Sequence, residues 1–323
     1  MRIGRPLLKL PIEFCAETLA SEVSALPSQA WIPHPQQFEG NLAVPLVSPG
    51  GTVTDDFFGP MGPTDSLRRC RYLMEIMQEL DSTWGRSRLM ALEPGAEVPQ
   101  HVDIHYYWRT HLRIHIPVIT NPEVDFISDL GIVNMKAGEC WLLDSFFTHA
   151  VNNRGREKRV HLVLDTVGSG RLWDLIDAAL NGSAEPKFLK PGGTPVRSLD
   201  FEQINKPIVM SPWEMKTHMA YIAEWVDDQP GLEIVLAILD RFVMEWANTW
   251  ARYGPAPQAF PVYVRHLGTV RAALETVPHR ELVMRNGRPL LESIQRFILT
   301  NSIAPAALMT HGAAGQPSGR LMA

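Results

Sequence analysis

The stretch Arg159-Val160-His161-Leu162-Val163-Leu164-Asp165 alternates strictly. Val160, Leu162 and Leu164 fall on one face of an extended chain, and Arg159, His161, Val163 and Asp165 on the other. Residues 109–116 repeat the pattern, with Leu112, Ile114 and Ile116 opposite Arg109, His111, Arg113 and His115. An apolar face turned to a second layer and a guanidinium- and imidazole-bearing face turned the other way fit a barrel-like sheet with a polar, anion-binding interior. A surface strand gives the same alternation, so the pattern alone leaves both arrangements open.

Working outward, strands are expected at 7–14, 88–92, 109–119, 139–143 and 159–165, and helices at 16–26 and 64–80. Residues 27–63 are rich in Pro, Gly and Gln, with an apolar piece at 42–47. Beyond Gly168-Ser169-Gly170 the pattern turns helical, with helices expected at 171–180, 212–227, 231–253, 262–275 and 290–299. The expectation is a mainly β domain over 1–168, a helical domain over 169–303, and a disordered Ala/Gly/Pro/Met-rich tail over 304–323.

With 323 residues, 45% of them hydrophobic, the chain can bury a large core. Its net charge of −5 and the lack of a basic face argue against nucleic acid as a partner. No run of about 18 uncharged apolar residues suggests a membrane span. The basic start, Met1 to Pro6, is followed by no apolar run of a secretory signal. Three cysteines, Cys15, Cys70 and Cys140, lack the spacing of a disulfide framework or a thiolate metal site. A reduced, cytoplasmic setting fits, and it would keep iron ferrous.

His101-Val102-Asp103 carries the strongest chemical signal. On an extended segment the imidazole and the carboxylate project to the same side. His149, delivered at a strand end after Asp144-Ser145, would complete a two-imidazole, one-carboxylate set, which occupies one face of an octahedral metal such as Fe(II) and leaves positions open. The interval between Asp103 and His149 has room for the strand, loop and strand of a double-stranded β-helix. His101, Asp103 and His149 are therefore the candidate metal ligands and catalytic centre. Arg159 opens an apolar strand, unlike its neighbours Arg154, Arg156 and Lys158, which read as surface charge. A buried Arg suits a dicarboxylate such as 2-oxoglutarate, because its planar fork pairs bidentately and stays charged. His105 and His111 read as neighbouring or surface groups.

The pieces Leu92-Glu93-Pro94-Gly95, Arg113-Ile114-His115-Ile116-Pro117, Gly138-Glu139, Asp144-Ser145-Phe146 and residues 159–165 together resemble the aspartyl/asparaginyl β-hydroxylase family, which includes the bacterial free-proline hydroxylases. The resemblance covers about a quarter of the chain. It implies a double-stranded β-helix (jelly roll, cupin-like), with Fe(II), 2-oxoglutarate and O2 used to hydroxylate a C–H bond, releasing succinate and CO2. It also implies Arg159, His115 and Arg113 as 2-oxoglutarate-binding residues, and Arg88, Arg113 and Asn41 as substrate-binding residues. The eukaryotic peptide hydroxylases lack the carboxylate ligand, so Asp103 makes the chain more similar to the small-molecule hydroxylases. The carboxylate also argues against halogenation, which needs that position vacant.

The substrate implied is a free amino acid or derivative, with a residue in a peptide as the alternative. Two other classes stay open: a non-catalytic anion-binding β-barrel, and a Zn(II)- or Mn(II)-dependent hydrolase or isomerase on a cupin-like barrel. The helical domain, without a match, is expected to shape the pocket or support an oligomer.

Overall fold

The computed structural model describes residues 3–34, 38–182, 185–193, 196–278 and 281–304. The tail expected to be disordered lies, from residue 305 on, outside the described residues. The chain forms two compact units. One holds the chain up to Asp103 together with Thr110–Asn205; the other holds Ile104–Arg109 and the chain from Lys206 onward.

The first unit carries thirteen strands among the described residues: β1 (Leu7–Phe14), β2 (Ile32–Pro33), β3 (Asn41–Pro49), β4 (Met61–Pro63), β5 (Trp84–Leu92), β6 (Glu97–His101), β7 (Leu112–Ile119), β8 (Val124–Ser128), β9 (Gly131–Val133), β10 (Glu139–Leu143), β11 (His149–Asn153), β12 (Arg159–Thr166) and β13 (Lys187–Leu189). A nine-stranded sheet runs β13-β1-β10-β7-β12-β5-β3-β2, with β4 added to β3; a four-stranded sheet runs β6-β11-β8-β9. The two sheets form a double-stranded β-helix, and they do not close into a barrel.

The alternation read in the sequence sets the layers. Val160, Leu162, Leu164, Ile114, Ile116, Leu142, Leu89 and Val44 lie on the outer face of the large sheet in one buried core. Full burial of each such side chain stabilises by roughly 1.5–3 kcal/mol. The helices covering this face are α1 (Ala16–Ser24), α2 (Asp65–Arg68), α3 (Arg71–Leu80) and α5 (Gly170–Asn181), which contribute Leu19, Leu67, Ile76 and Leu172. The inner face meets the small sheet through a second cluster: Leu7, Leu92 and Leu143 against Val124, Phe126 and Val151.

Three sequence expectations are corrected. The helix expected over 64–80 is two helices, broken at Cys70. The Glu22 carboxylate on α1 accepts hydrogen bonds from the backbone N–H groups of Tyr72 (2.7 Å) and Leu73 (3.1 Å), so it caps a second helix start. Arg109 is not in a strand; it ends the short helix α4 (Tyr106–Thr110), and β7 starts at Leu112. The change of pattern at Gly168 is a change of element, because α5 packs Leu172, Leu175 and Ile176 into the β unit's core. Trp84 also pairs in the backbone with residues 200–202, which extends that unit to Asn205.

The second unit contains α6 (Pro212–Ala223), α7 (Leu232–Tyr253), α8 (Phe260–Glu275) and α9 (Leu290–Ile294), the last running into a π-helical turn, Gln295–Leu299. Ser211 caps α6 by accepting from Glu214 N–H at 3.1 Å, and Pro212 sits where a helix needs no donor. Trp246 is fully buried, packs against Tyr263 with ring centroids 4.3 Å apart and planes tilted by 43°, and donates to the Met210 carbonyl. Among the described residues no helix is long and apolar enough to cross a membrane.

Asn153 ties the two sheets of the β unit. From the end of β11, its buried amide donates to the carbonyls of Leu92 (3.0 Å) and Glu157 (2.8 Å), and its oxygen accepts from Gly155 N–H. These bonds fix the turn that delivers Arg159. Asn153→Ala leaves several buried carbonyls and an N–H unpaired, so a loss of about 2–3 kcal/mol is expected in urea unfolding. A loss below ~0.5 kcal/mol would show that water replaces the amide.

Candidate metal centre

Strand pairing assembles the three sequence-expected ligands. In the antiparallel β6–β11 pair, His149 stands directly opposite His101. Their rings lie 4.2 Å apart between centroids. Asp103, just past β6, is held by a backbone hydrogen bond from its N–H to the Ser145 carbonyl, 2.9 Å. The candidate ligand atoms of His101, Asp103 and His149 all lie within 4.8 Å of one another, and His101 Nε2 is 3.7 Å from Asp103 Oδ1. A hexacoordinate ion at ordinary bond lengths would draw such atoms to roughly 3 Å, a small adjustment of side chains already converging.

The donor chemistry fits a metal. His101 Nδ1 is 2.8 Å from the Pro99 carbonyl, and His149 Nδ1 is 3.0 Å from the Phe147 carbonyl. A carbonyl only accepts, so each Nδ1 carries the proton and each Nε2 presents its lone pair. Burial, aided by the neighbouring His101, pushes His149 down to about 4, which keeps it neutral and able to coordinate. Burial alone would raise the Asp103 carboxyl, but Arg113, His149, His101 and Arg86 outweigh it, and the group is held below its ordinary value as a carboxylate.

Arg113 acts on Asp103. Its Nη1 donates to Asp103 Oδ2 at 3.0 Å, and its Nε donates to Asp165 Oδ1 at 2.9 Å. The guanidinium thus sits between two carboxylates and fixes which oxygen of Asp103 faces His101. This position differs from that of a residue whose fork is open to a co-substrate, the role the resemblance implied. Asp165, the far end of that clamp, was missed in the sequence although it shares the inward face of β12.

The inward face of the large sheet forms cross-strand rows. Asn41, Leu92 and Arg159 are one row; Ala43, Met90, His161 and Pro117 the next; Pro45, Arg88, Val163 and His115 the third; Asp165 and Arg113 lie in the last. Arg159 is 4% exposed, its Nε has no hydrogen-bond partner, and no carboxylate pairs with it among the described residues. Burial pulls its guanidinium down to about 9, which leaves it a cation at neutral pH. His115 and His161 lie beside it, 5.8 Å apart, and none of their ring nitrogens has a partner. Burial and then the adjacent guanidiniums push both well below the usual imidazole range. His115 also stands edge-on to Phe126, whose ring stacks on His149. The buried cation and four unpaired imidazole nitrogens therefore lie next to the metal triad. His161 was not picked out in the sequence as a site residue, although its place two residues after Arg159 on the same face was a usable signal.

Asn41 is buried with both amide atoms unpaired. Arg88 is buried and donates to Asp55. His111 is buried against Glu202 at 3.0 Å, and His105 Nδ1 accepts from Tyr107 N–H.

Residues 60–168 match the family model described as aspartyl/asparaginyl β-hydroxylase. No curated protein matches the chain. Among solved structures, the chain is similar to a Pseudomonas putida prolyl-4-hydroxylase (11% identity, 52% of this chain and 95% of that one, TM-score 0.35). It is also similar to an oxidoreductase of the 2OG-Fe(II) oxygenase family from Burkholderia pseudomallei (11% identity, 48% and 80%, TM-score 0.34). A third is a predicted oxalate decarboxylase from Thermotoga maritima (19% identity, 42% and 89%, TM-score 0.26).

Two outcomes follow from this geometry. Arg113→Gln frees Asp103 to rotate, and metal affinity is expected to fall 10–100-fold in calorimetry, with the fold retained. An unchanged affinity would show that the clamp is dispensable. The buried histidines set the acid response. His115, His149 and His161 are neutral when folded and titrate near ~6.5 when unfolded, so the unfolded chain binds more protons below that pH. Stability is therefore fully present above ~6.5 and is lost as pH falls, by up to about 1.4 kcal/mol per pH unit for each imidazole. Urea midpoints of metal-free protein measured from pH 7 to 5 check this; a flat profile would contradict it.

Proposed function

We propose that this chain, a 2-oxoglutarate-dependent dioxygenase carrying the aspartyl/asparaginyl β-hydroxylase match over residues 60–168, hydroxylates a C–H bond of a small carboxylate-bearing substrate, a free amino acid or a derivative of one. Fe(II), 2-oxoglutarate and O2 are the cofactor and co-substrates, and succinate and CO2 leave with the product. The observation that carries this reading is a buried guanidinium without a counter-charge, Arg159, on the same interior face as a converging His-Asp-His set.

The metal, when bound, supplies the O2 activation that no side chain can perform. The protein's own groups supply the rest. His101, Asp103 and His149 would hold the ion, with both histidine tautomers set by the Pro99 and Phe147 carbonyls. Arg113 holds Asp103. Arg159 pairs with the far carboxylate of the diacid, which satisfies a cation whose burial is otherwise costly. His115 and His161, held neutral, donate to or accept from the same molecule without adding charge. Phe126, Val151, Leu92 and Leu143 close the interior with apolar surface and exclude water from the reacting centre. Asn41, with an unpaired donor and an unpaired acceptor, can orient the polar end of a substrate.

Mixing Fe(II) and 2-oxoglutarate with the protein under nitrogen is expected to give a weak visible metal-to-ligand charge-transfer band. Arg159→Ala should raise the dissociation constant for 2-oxoglutarate about 100-fold, the loss of a charge-assisted pair, while metal affinity changes little. No band in wild type, or the same titration curve in the variant, counts against the reading. Succinate release across a panel of amino acids then identifies the substrate.

A further inference from the structure

Asp165 lies on β12, which is paired on one side with β5 and on the other with β7, and it stands directly opposite Arg113 in the β12–β7 pair. Its side chain is 2% exposed. It holds one edge of the guanidinium: Arg113 Nε donates to Asp165 Oδ1 at 2.9 Å, and Nη2 reaches Oδ2 at 3.5 Å. The remaining nitrogen, Nη1, donates to Asp103 Oδ2 at 3.0 Å. Two nitrogens held by two oxygens at once fix the plane of a guanidinium, and the direction of Nη1 follows from that plane. Asp103 lies past the end of β6, outside any strand, and its other oxygen, Oδ1, is 3.7 Å from His101 Nε2.

The two carboxylates thus play unequal parts on one arginine. Asp165 belongs to a strand paired on both sides, whereas Asp103 sits on irregular chain and is the candidate ligand. Resting on the metal site of the hydroxylase reading above, we infer that Asp165 is a positioning residue of the metal centre. It does not ligate the ion; through Arg113 it sets which oxygen of Asp103 is presented to it. The large sheet in this way steadies a ligand that follows a strand of the small sheet. Asp165→Asn keeps the shape of the side chain but not its hold. The amide oxygen can still accept from Nε, but the amide nitrogen only donates and opposes Nη2. The guanidinium is then no longer held along that edge, and the bond from Nη1 to Asp103 is no longer aimed.

The test is a double-mutant cycle on the full chain, read as calorimetric Fe(II) affinity under nitrogen with no 2-oxoglutarate present. The four proteins are wild type, Asp165→Asn, Arg113→Gln and the double variant, and the visible ligand-field band of each is recorded with Co(II) in place of Fe(II). Asp165→Asn is expected to bind Fe(II) about tenfold more weakly and to shift the Co(II) band. In the Arg113→Gln background the same change should alter neither, because the group that transmits it is gone. A merely structural carboxylate would lower the urea midpoint and leave affinity and band unmoved. Asp165→Glu is the second variant, should Asp165→Asn fail to fold. It keeps the charge, its extra methylene moves the guanidinium, and it should give the same loss, again absent with Arg113→Gln. An unchanged affinity in the folded single variant, or a loss that recurs with Arg113→Gln, overturns the inference. If wild type takes up no Fe(II), both this inference and the hydroxylase reading fall. If the cycle behaves as stated but 2-oxoglutarate gives no charge-transfer band, the hydroxylase reading falls and the role of Asp165 stands.

Discussion

The antiparallel pairing of β6 with β11 is the constraint on which the rest of the site depends. It sets His149 opposite His101, and a slip of one residue in either strand would turn one imidazole to the other face of the sheet. Neither strand is apolar enough to fix that register by itself. It is fixed from outside: β8 pairs along the full length of β11, and Asn153 clamps the end of β11 to the carbonyls of β5 and the following turn. The Asp103 N–H to the Ser145 carbonyl closes the other end. A metal bound there would add to this order, because ligand convergence and strand register are the same geometric fact.

What the sequence made legible follows from periodicity. The alternation at 159–165 and 109–116 identified the inward face, and with it Arg159, Arg113 and His115. The His101-x-Asp103 pair was readable because spacing on extended chain is a local property, whereas the approach of His149 to it depends on the β6–β11 register. The small sheet was much harder to read: β6 carries Pro99 and one apolar residue, and β9 is three residues long, so neither shows a strand's period. The role of Arg113 depends on register, since Asp103 and Asp165 reach it from different elements. The break at Cys70 was hidden for a related reason, as the capping group, Glu22, sits on α1.

The helical unit shows how a local sequence signal can belong to a distant partner. Residues 104–109 follow Asp103 directly, yet their contacts belong to the second unit. There Tyr106 donates to Glu214 and stands edge-on to His218, and Arg109 lies 3.5 Å over the Tyr221 ring. Tyr106 and Arg109 thus serve that packing.

The charges of the β unit's interior separate structural from ligand-binding roles. In a low-dielectric interior an unmatched cation is costly, so an arginine there is either paired by the protein or kept for a ligand. Arg113 is paired on both sides, by Asp103 and Asp165. Arg86 and Arg88 both reach Asp55. Arg159 has no carboxylate among the described residues. The interior as folded thus has capacity for one more negative charge, at Arg159 beside His115 and His161.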